Sequence, residues 1–138
     1  MKVLLLLVFS CLLTPVFAQL EKTIHQTFEV KDTKNININI PAEYELFSWP
    51  GDVILVETNV KLEQANAAIM NFVVENGRYQ MTFEDKKEGN FNLSYKNPSP
   101  QKLKTKFGPC DEFVKIRVFV PEFFDISDKT HVWRTKDN

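Results

Sequence analysis

Asn35-Ile36-Asn37-Ile38-Asn39-Ile40-Pro41 decides the fold of this chain. Three asparagines and three isoleucines alternate without a fault. A period of two sends Ile36, Ile38 and Ile40 to one face and Asn35, Asn37 and Asn39 to the other. This is a strand with one dry face and one wet face. Pro41 has no N–H to give a ladder and ends it.

The same alternation spreads outward in both directions. Upstream, Ile24, Phe28 and Val30 alternate with His25, Thr27 and Glu29. Downstream, residues 42–49 carry Tyr44 and Leu46 on one side and Glu43, Glu45, Phe47 and Trp49 on the other. Pro50-Gly51-Asp52 is a turn signal, followed by a strand over 53–60 with Ile54, Val56 and Val60 inward. Further strands are expected around Phe91, Leu93 and Tyr95, and over 113–120, where Val114, Ile116, Val118 and Val120 face in and Lys115 and Arg117 face out. Phe123, Phe124 and Ile126 suggest one more. Residues 84–90 read as a charged turn containing Gly89.

Two stretches depart from strand periodicity. Leu62, Ala65, Ile69 and Phe72 fall at helical spacing, and three nearby alanines favour helix, so one short helix is expected over 62–70. Asn76-Gly77 is the preferred two-residue hairpin turn. It implies that Glu75 faces Arg78, Val74 faces Tyr79 and Phe72 faces Met81. Residues 97–110 hold Pro98, Pro100, Gly108 and Pro109 and read as a loop. Residues 128–138 are polar except for Val132 and Trp133 and read as a loose tail. Seven or eight short strands with turns between them predict an all-β, antiparallel sandwich over 19–127.

The N-terminus predicts location. Met1-Lys2 begins positively, an apolar run follows, Thr14-Pro15 breaks it, and Val16-Phe17-Ala18 places small residues before Gln19. This is the layout of a secretory signal peptide over 1–18, cleaved after Ala18. The run is shorter than the roughly 20 apolar residues that span a bilayer, and no later run is long enough. The mature chain is expected to be secreted or periplasmic. Its 120 residues make one domain, and it keeps all 18 acidic residues and all but one of the 17 basic ones. That balance lacks the basic footprint of a nucleic-acid binder. Cleavage removes Cys11 and leaves Cys110 as a free thiol without an intramolecular partner; a buried, inert sulfur and a reactive or dimer-forming one both fit.

No catalytic constellation stands out. His25 and His131 fall on polar segments. There is no Gly-x-Ser-x-Gly elbow, no zinc-ligand spacing and no phosphate-binding glycine loop, so no metal or cofactor is expected. Glu43 and Glu45 share a strand face but stand beside aromatics. Two features are better candidates for binding. Phe47 and Trp49 share a face beside a Pro-Gly turn and offer an aromatic platform for a glycan or a protein partner, or else cover the edge of the core. Lys102, Lys104 and Lys106, with Lys96 nearby, offer a basic loop for an anionic partner, or else form an ordinary solvated loop.

Phe28-Glu29-Val30, Ile36-Asn37-Ile38, Val53-Ile54-Leu55-Val56-Glu57, Gly77-Arg78-Tyr79 and the run from Val114 to Pro121 occur in an order that resembles the opening portion of exported bacterial auto-transporter adhesin heads of the GIN type. In that group a valine-rich strand ending in proline leads into a glycine- and asparagine-rich solenoid, and that ladder does not follow Pro121 here. The resemblance implies a small secreted or periplasmic β-protein of the bacterial envelope and supplies no catalytic residues. The expected function is non-enzymatic binding or a structural role at the envelope, with an envelope protein or glycan as partner. The ten phenylalanines of the mature chain keep open a carrier for an apolar ligand held between the sheets; a small hydrolase is a third and more distant alternative.

Overall fold

The structure is a computed structural model and describes residues 20–98, 100–106 and 108–135. The expected signal peptide and Cys11 lie outside these residues. Strand alternation governs almost everything described. Strands β1 (Leu20–Glu29), β4 (Val53–Glu63) and β9 (Asp111–Pro121) are ten or eleven residues long. With β3 (Tyr44–Trp49) they form a four-stranded sheet in the order β1-β4-β9-β3. The second sheet runs β10-β11-β2-β6-β5 and uses β2 (Asn35–Asn39), β5 (Met81–Lys87), β6 (Asn90–Tyr95), β10 (Phe124–Asp125) and β11 (His131–Arg134). A two-residue ladder joins β7 (Lys104–Thr105) to β8 (Gly108–Pro109) within the long loop.

The core lies between the sheets. Ile36, Ile38 and Ile40 point into it, as their spacing requires, against Ile54, Val56, Leu93, Val118, Val120 and Val132. Aliphatic residues fill this layer. Phe124 is buried, whereas Phe28, Phe83 and Phe123 only pack against the rim of the core. A second apolar cluster (Val60, Leu62, Met70, Val73, Tyr79 and Cys110) closes one end beneath the helix.

The sandwich is all-β with one helix, but it is mixed rather than antiparallel. β2 runs parallel to β6, and β3 runs parallel to β9. Alternation sets which face of a strand is dry and is silent on the direction of its neighbour.

The helix also sits later than its expected 62–70. The period-two pattern of β4 continues through Leu62, and α1 spans Ala67–Glu75. Asn66 caps it, its side chain accepting from Ile69 N at 3.0 Å. Met70 and Val73 are the buried residues of α1, while Phe72 is 66% exposed.

Asn76-Gly77 is consequently not a hairpin turn. Asn76 ends the helix and Gly77 takes a left-handed φ of 73°. Gly77 N donates to Val74 O and Arg78 N to Val73 O, the pair of bonds of a Schellman C-cap. The tight hairpin turn falls instead at Glu88-Gly89, where both φ values are positive and Lys87 pairs with Asn90.

The expected loose tail gives way at β11, which is inserted between β10 and β2 with Val132 fully buried. The β-domain therefore runs past 127 to Arg134.

Candidate functional site

The outer face of the four-stranded sheet carries both candidate aromatics, and strand register determines what stands beside them. Phe47 lies opposite Phe119, Phe119 opposite Leu55, and Leu55 opposite Thr27. The next row reads Glu45, Arg117, Glu57 and His25 across the same four strands. One row is apolar and the other is charged, about 7 Å apart at two residues per strand repeat.

The aromatic row is stacked. Phe47 lies 5.3 Å from the Phe119 ring with an interplanar angle of 23° and remains 39% exposed. Trp49 tilts against the same Phe119 ring at 6.2 Å. Its indole N–H donates to Val53 O at 2.9 Å, so the ring is folded back over the Pro50-Gly51 turn. A Cβ on Gly51 would stand 2.3 Å from the indole, which explains the glycine. Trp49 thus clamps the turn and braces Phe119, while Phe47 presents an open ring to solvent.

The charged row is an ion-pair chain. Arg117 donates through Nε to Glu57 Oε1 at 2.8 Å and through Nη2 to the same oxygen, and His25 Nε2 lies 3.1 Å from Glu57 Oε2. The Arg117 hydrogen bond holds the Glu57 carboxyl below its ordinary range, helped by His25 and opposed by burial. The guanidinium also sits 5.8 Å from the Phe119 ring centre. Arg117 therefore joins the two rows through a carboxylate on one side and a π face on the other.

The lysine loop does not join this platform. Lys102, Lys104 and Lys106 are all exposed, but the loop leads into Asp111, eight residues before Phe119 on β9. That is about 25 Å along the strand. Leu103 pins the loop to the second core cluster, and Cys110 N donates to its carbonyl. Cys110 is itself buried, with Sγ directed at Glu63 O at 3.1 Å. Burial pushes its thiol pKa up, and Glu112 and Asp111 add to the rise. Its surroundings are those of an inert thiol.

Sequence reasoning missed the polar cluster at the base of the loop. Arg78 donates to Glu112 Oε1 through Nε (2.9 Å) and to Oε2 through Nη2 (2.8 Å), and Nη2 also reaches Gln101 O at 2.8 Å. The Tyr79 hydroxyl is buried beside this pair without a hydrogen bond of normal length. Burial drives its pKa strongly upward, and the neighbouring Glu112 carboxylate adds to the effect. The pair welds the helix C-cap, β9 and the loop together, a structural task. Nothing in the sequence signals it, because its two members stand 34 residues apart.

Among the described residues no three His, Cys, Asp or Glu side chains stand together in a group able to hold a metal ion, and no helix is long and apolar enough to cross a membrane. His131 is held by Asn37 at 2.8 Å and stacked on Trp133 rather than paired with an acid. Comparison of the chain with protein-family models, curated proteins and solved structures gives no match.

Proposed function

We propose that this chain is an exported, non-enzymatic binding domain of the bacterial envelope, and that it engages its partner through the outer face of the four-stranded sheet. The observation that carries the reading is the Phe47–Phe119 stack. A ring 39% exposed to water is stacked on a second ring, Phe119, which is in turn braced by Trp49. Preorganised aromatic area of this kind loses little side-chain entropy on binding. The adjoining row supplies carboxylates and a guanidinium at the edge of the apolar strip. An aromatic shelf bordered by such groups suits a partner with an apolar face and a hydroxyl-rich or charged rim, such as an envelope glycan or a protein loop. The signal-like N-terminus and the adhesin-head resemblance of the strand order support the envelope as the place.

The test is a glycan array, followed by titration calorimetry with any hit, using the wild type and Phe47→Ala. Loss of one open aromatic from a binding face is expected to weaken affinity by about 1–2 kcal/mol, or roughly five- to thirtyfold. Unchanged binding by a Phe47→Ala, Trp49→Ala double variant that keeps its far-UV circular dichroism would rule out this face.

A further inference from the structure

The two neighbours of β9 differ in length. On one edge it pairs with β4 along residues 111–119, down to Asp111 opposite Glu63. On the other edge β3 begins only at Tyr44, opposite Ile116. Residues 112–115 are therefore extended and laddered on one side, with a bare edge on the other. In a strand paired on one side, alternate residues send both N–H and C=O away from the partner. Two of these four residues thus have backbone groups without a partner among the described residues. Among the described residues no other hydrogen bond involves the backbone of 112–115.

The notch is open in space as well. A cleft of about 1030 Å³ opens beside it and runs on over the outer face of the sheet, lined by Ala42 and Tyr44 where β3 starts, by Val114 and Lys115 of β9, and by Glu57 and Arg117 of the charged row. Side-chain cover falls away at the same place. Ile116, Val118 and Val120 are buried, but Glu112 and Val114 on the same face are only partly so, and Phe113 on the outer face is 52% exposed. The opposite arrangement exists at the edge of β5. There the side-chain amide of Gln26 accepts from Met81 N at 3.0 Å and donates to Met81 O at 3.4 Å, filling that edge. Proteins usually block a bare strand edge with such a device, a charge or a proline.

We infer that this notch takes an extended polypeptide segment of a partner, added to β9 as a strand in line with β3. The chemistry selects the occupant. Donors and acceptors repeating at the strand spacing, all in one plane, are matched by another peptide backbone and not by a sugar or a lipid. The added strand would place an apolar side chain inward against Val114 and Tyr44 and the next one outward between Phe113 and Lys115. The notch borders the charged row of the outer face, whose Glu57 and Arg117 line the same cleft, but it does not use the Phe47 ring, so Phe47→Ala tells the two readings apart.

Amide hydrogen exchange read by NMR on the chain as its host processes it provides the test. The probes are acetylated, amidated hexapeptides in which Val or Thr alternates with Lys or Glu, together with the same peptides N-methylated at alternate residues. In the free protein, two amides of 112–115 are expected to exchange freely while Ile116 and Val118 are protected. At a peptide concentration ten times its Kd, those two amides slow about tenfold, and the N-methylated peptides leave them unchanged. Ala42→Trp, which fills the notch, should weaken peptide binding more than tenfold with exchange in β4 unaltered, and Phe47→Ala should not. The inference is overturned if no hexapeptide in the set slows these amides, or if they are already as protected as Ile116 in the free protein. Protection that grows with protein concentration alone would assign the notch to a second copy and overturn it equally.

Discussion

Replacing Arg78 by alanine separates two readings of the same stretch of chain. If Asn76-Gly77 were a hairpin turn, Arg78 would face Glu75 at an exposed tip, and the pair would contribute between about 0.2 and 1 kcal/mol. In the structure Arg78 instead makes three hydrogen bonds, two to Glu112 and one to Gln101 O. The side chains of the ion pair are only 14% and 21% exposed. Truncation strands a largely buried carboxylate and frees the loop carbonyl. Breaking a fully buried pair from one side costs about 3–5 kcal/mol; the residual exposure brings the expected cost here to about 2–3 kcal/mol. For a domain of this size that corresponds to a fall in Tm of about 8–12 °C.

The pH dependence sharpens the test. Burial alone would raise the Glu112 pKa, but the Arg78 hydrogen bonds and a smaller contribution from Tyr79 outweigh it, and the carboxyl is held below its ordinary range. A carboxyl with a lowered pKa in the folded state stabilises fully above its unfolded value and ceases to do so as pH falls through the folded one. The gap between wild type and Arg78→Ala, measured by urea unfolding, is therefore widest near pH 7 and starts to narrow above about pH 4.3, because the buried, unpaired carboxyl of the variant takes up its proton first, and narrows further below it. A double replacement by apolar residues, Arg78→Met with Glu112→Leu, is expected to recover much of the loss. A cost under about 1 kcal/mol, or one independent of pH down to pH 3, would refute the placement of this pair.

Three other outcomes follow from the geometry. Gly77→Ala forces a β-carbon into a left-handed position at φ 73° and should cost about 1–2 kcal/mol by urea denaturation; a neutral result would contradict the helix C-cap. Gly51→Ala meets no unfavourable φ but collides with the Trp49 indole, so the ring leaves Val53 O and tryptophan emission shifts to longer wavelength. An unshifted spectrum would show that Trp49 does not lie over the turn. Cys110, buried with a raised thiol pKa, should react with a thiol reagent at pH 8 only as fast as the fold opens, and its rate should climb with sub-denaturing urea. Immediate stoichiometric labelling would contradict its burial.

What was legible in the sequence was whatever depends on a single strand. The faces of 35–40, 53–60 and 113–120 could be read because one side chain in two is apolar, and parity alone put Phe47 and Trp49 on the face opposite Tyr44 and Leu46, without saying whether that face is open or covered. The helix boundary was not legible, because Leu62 satisfies a period of two from Val60 and a helical spacing to Ala65 and Ile69 at once. Burial under the second core cluster settled it for β4. Asn-Gly serves a hairpin or a helix terminus equally well, since both use a left-handed glycine. The true hairpin turn lies inside the stretch 84–90 that reads as a charged turn, but it is only Glu88-Gly89, with the glutamate at φ 47°, and β5 takes the residues up to Lys87. Phe119 beside Phe47, and Arg117 against Glu57, required register between strands, which no local pattern encodes.

The notch originates in a short crossing. From Ile40 the chain leaves the five-stranded sheet and, after Pro41, Ala42 and Glu43, is already paired in the other sheet at Tyr44. Three residues span only about 10 Å, roughly the distance between packed sheets, so β3 must begin close to where β2 ends. That fixes Tyr44 opposite Ile116. β9 arrives from the other direction, out of a loop tied down by Arg78 at Gln101 and by Cys110 at Leu103, and it is extended from Asp111 onward because Glu63 and Leu62 of the long strand β4 are there to pair with it. The start of β3 answers to the sheet spacing and the start of β9 to the reach of β4, and the offset between these independent constraints leaves the backbone edge bare. A proline at 41 keeps the offset in place, since it offers no N–H with which the crossing segment might extend β3 backward along β9.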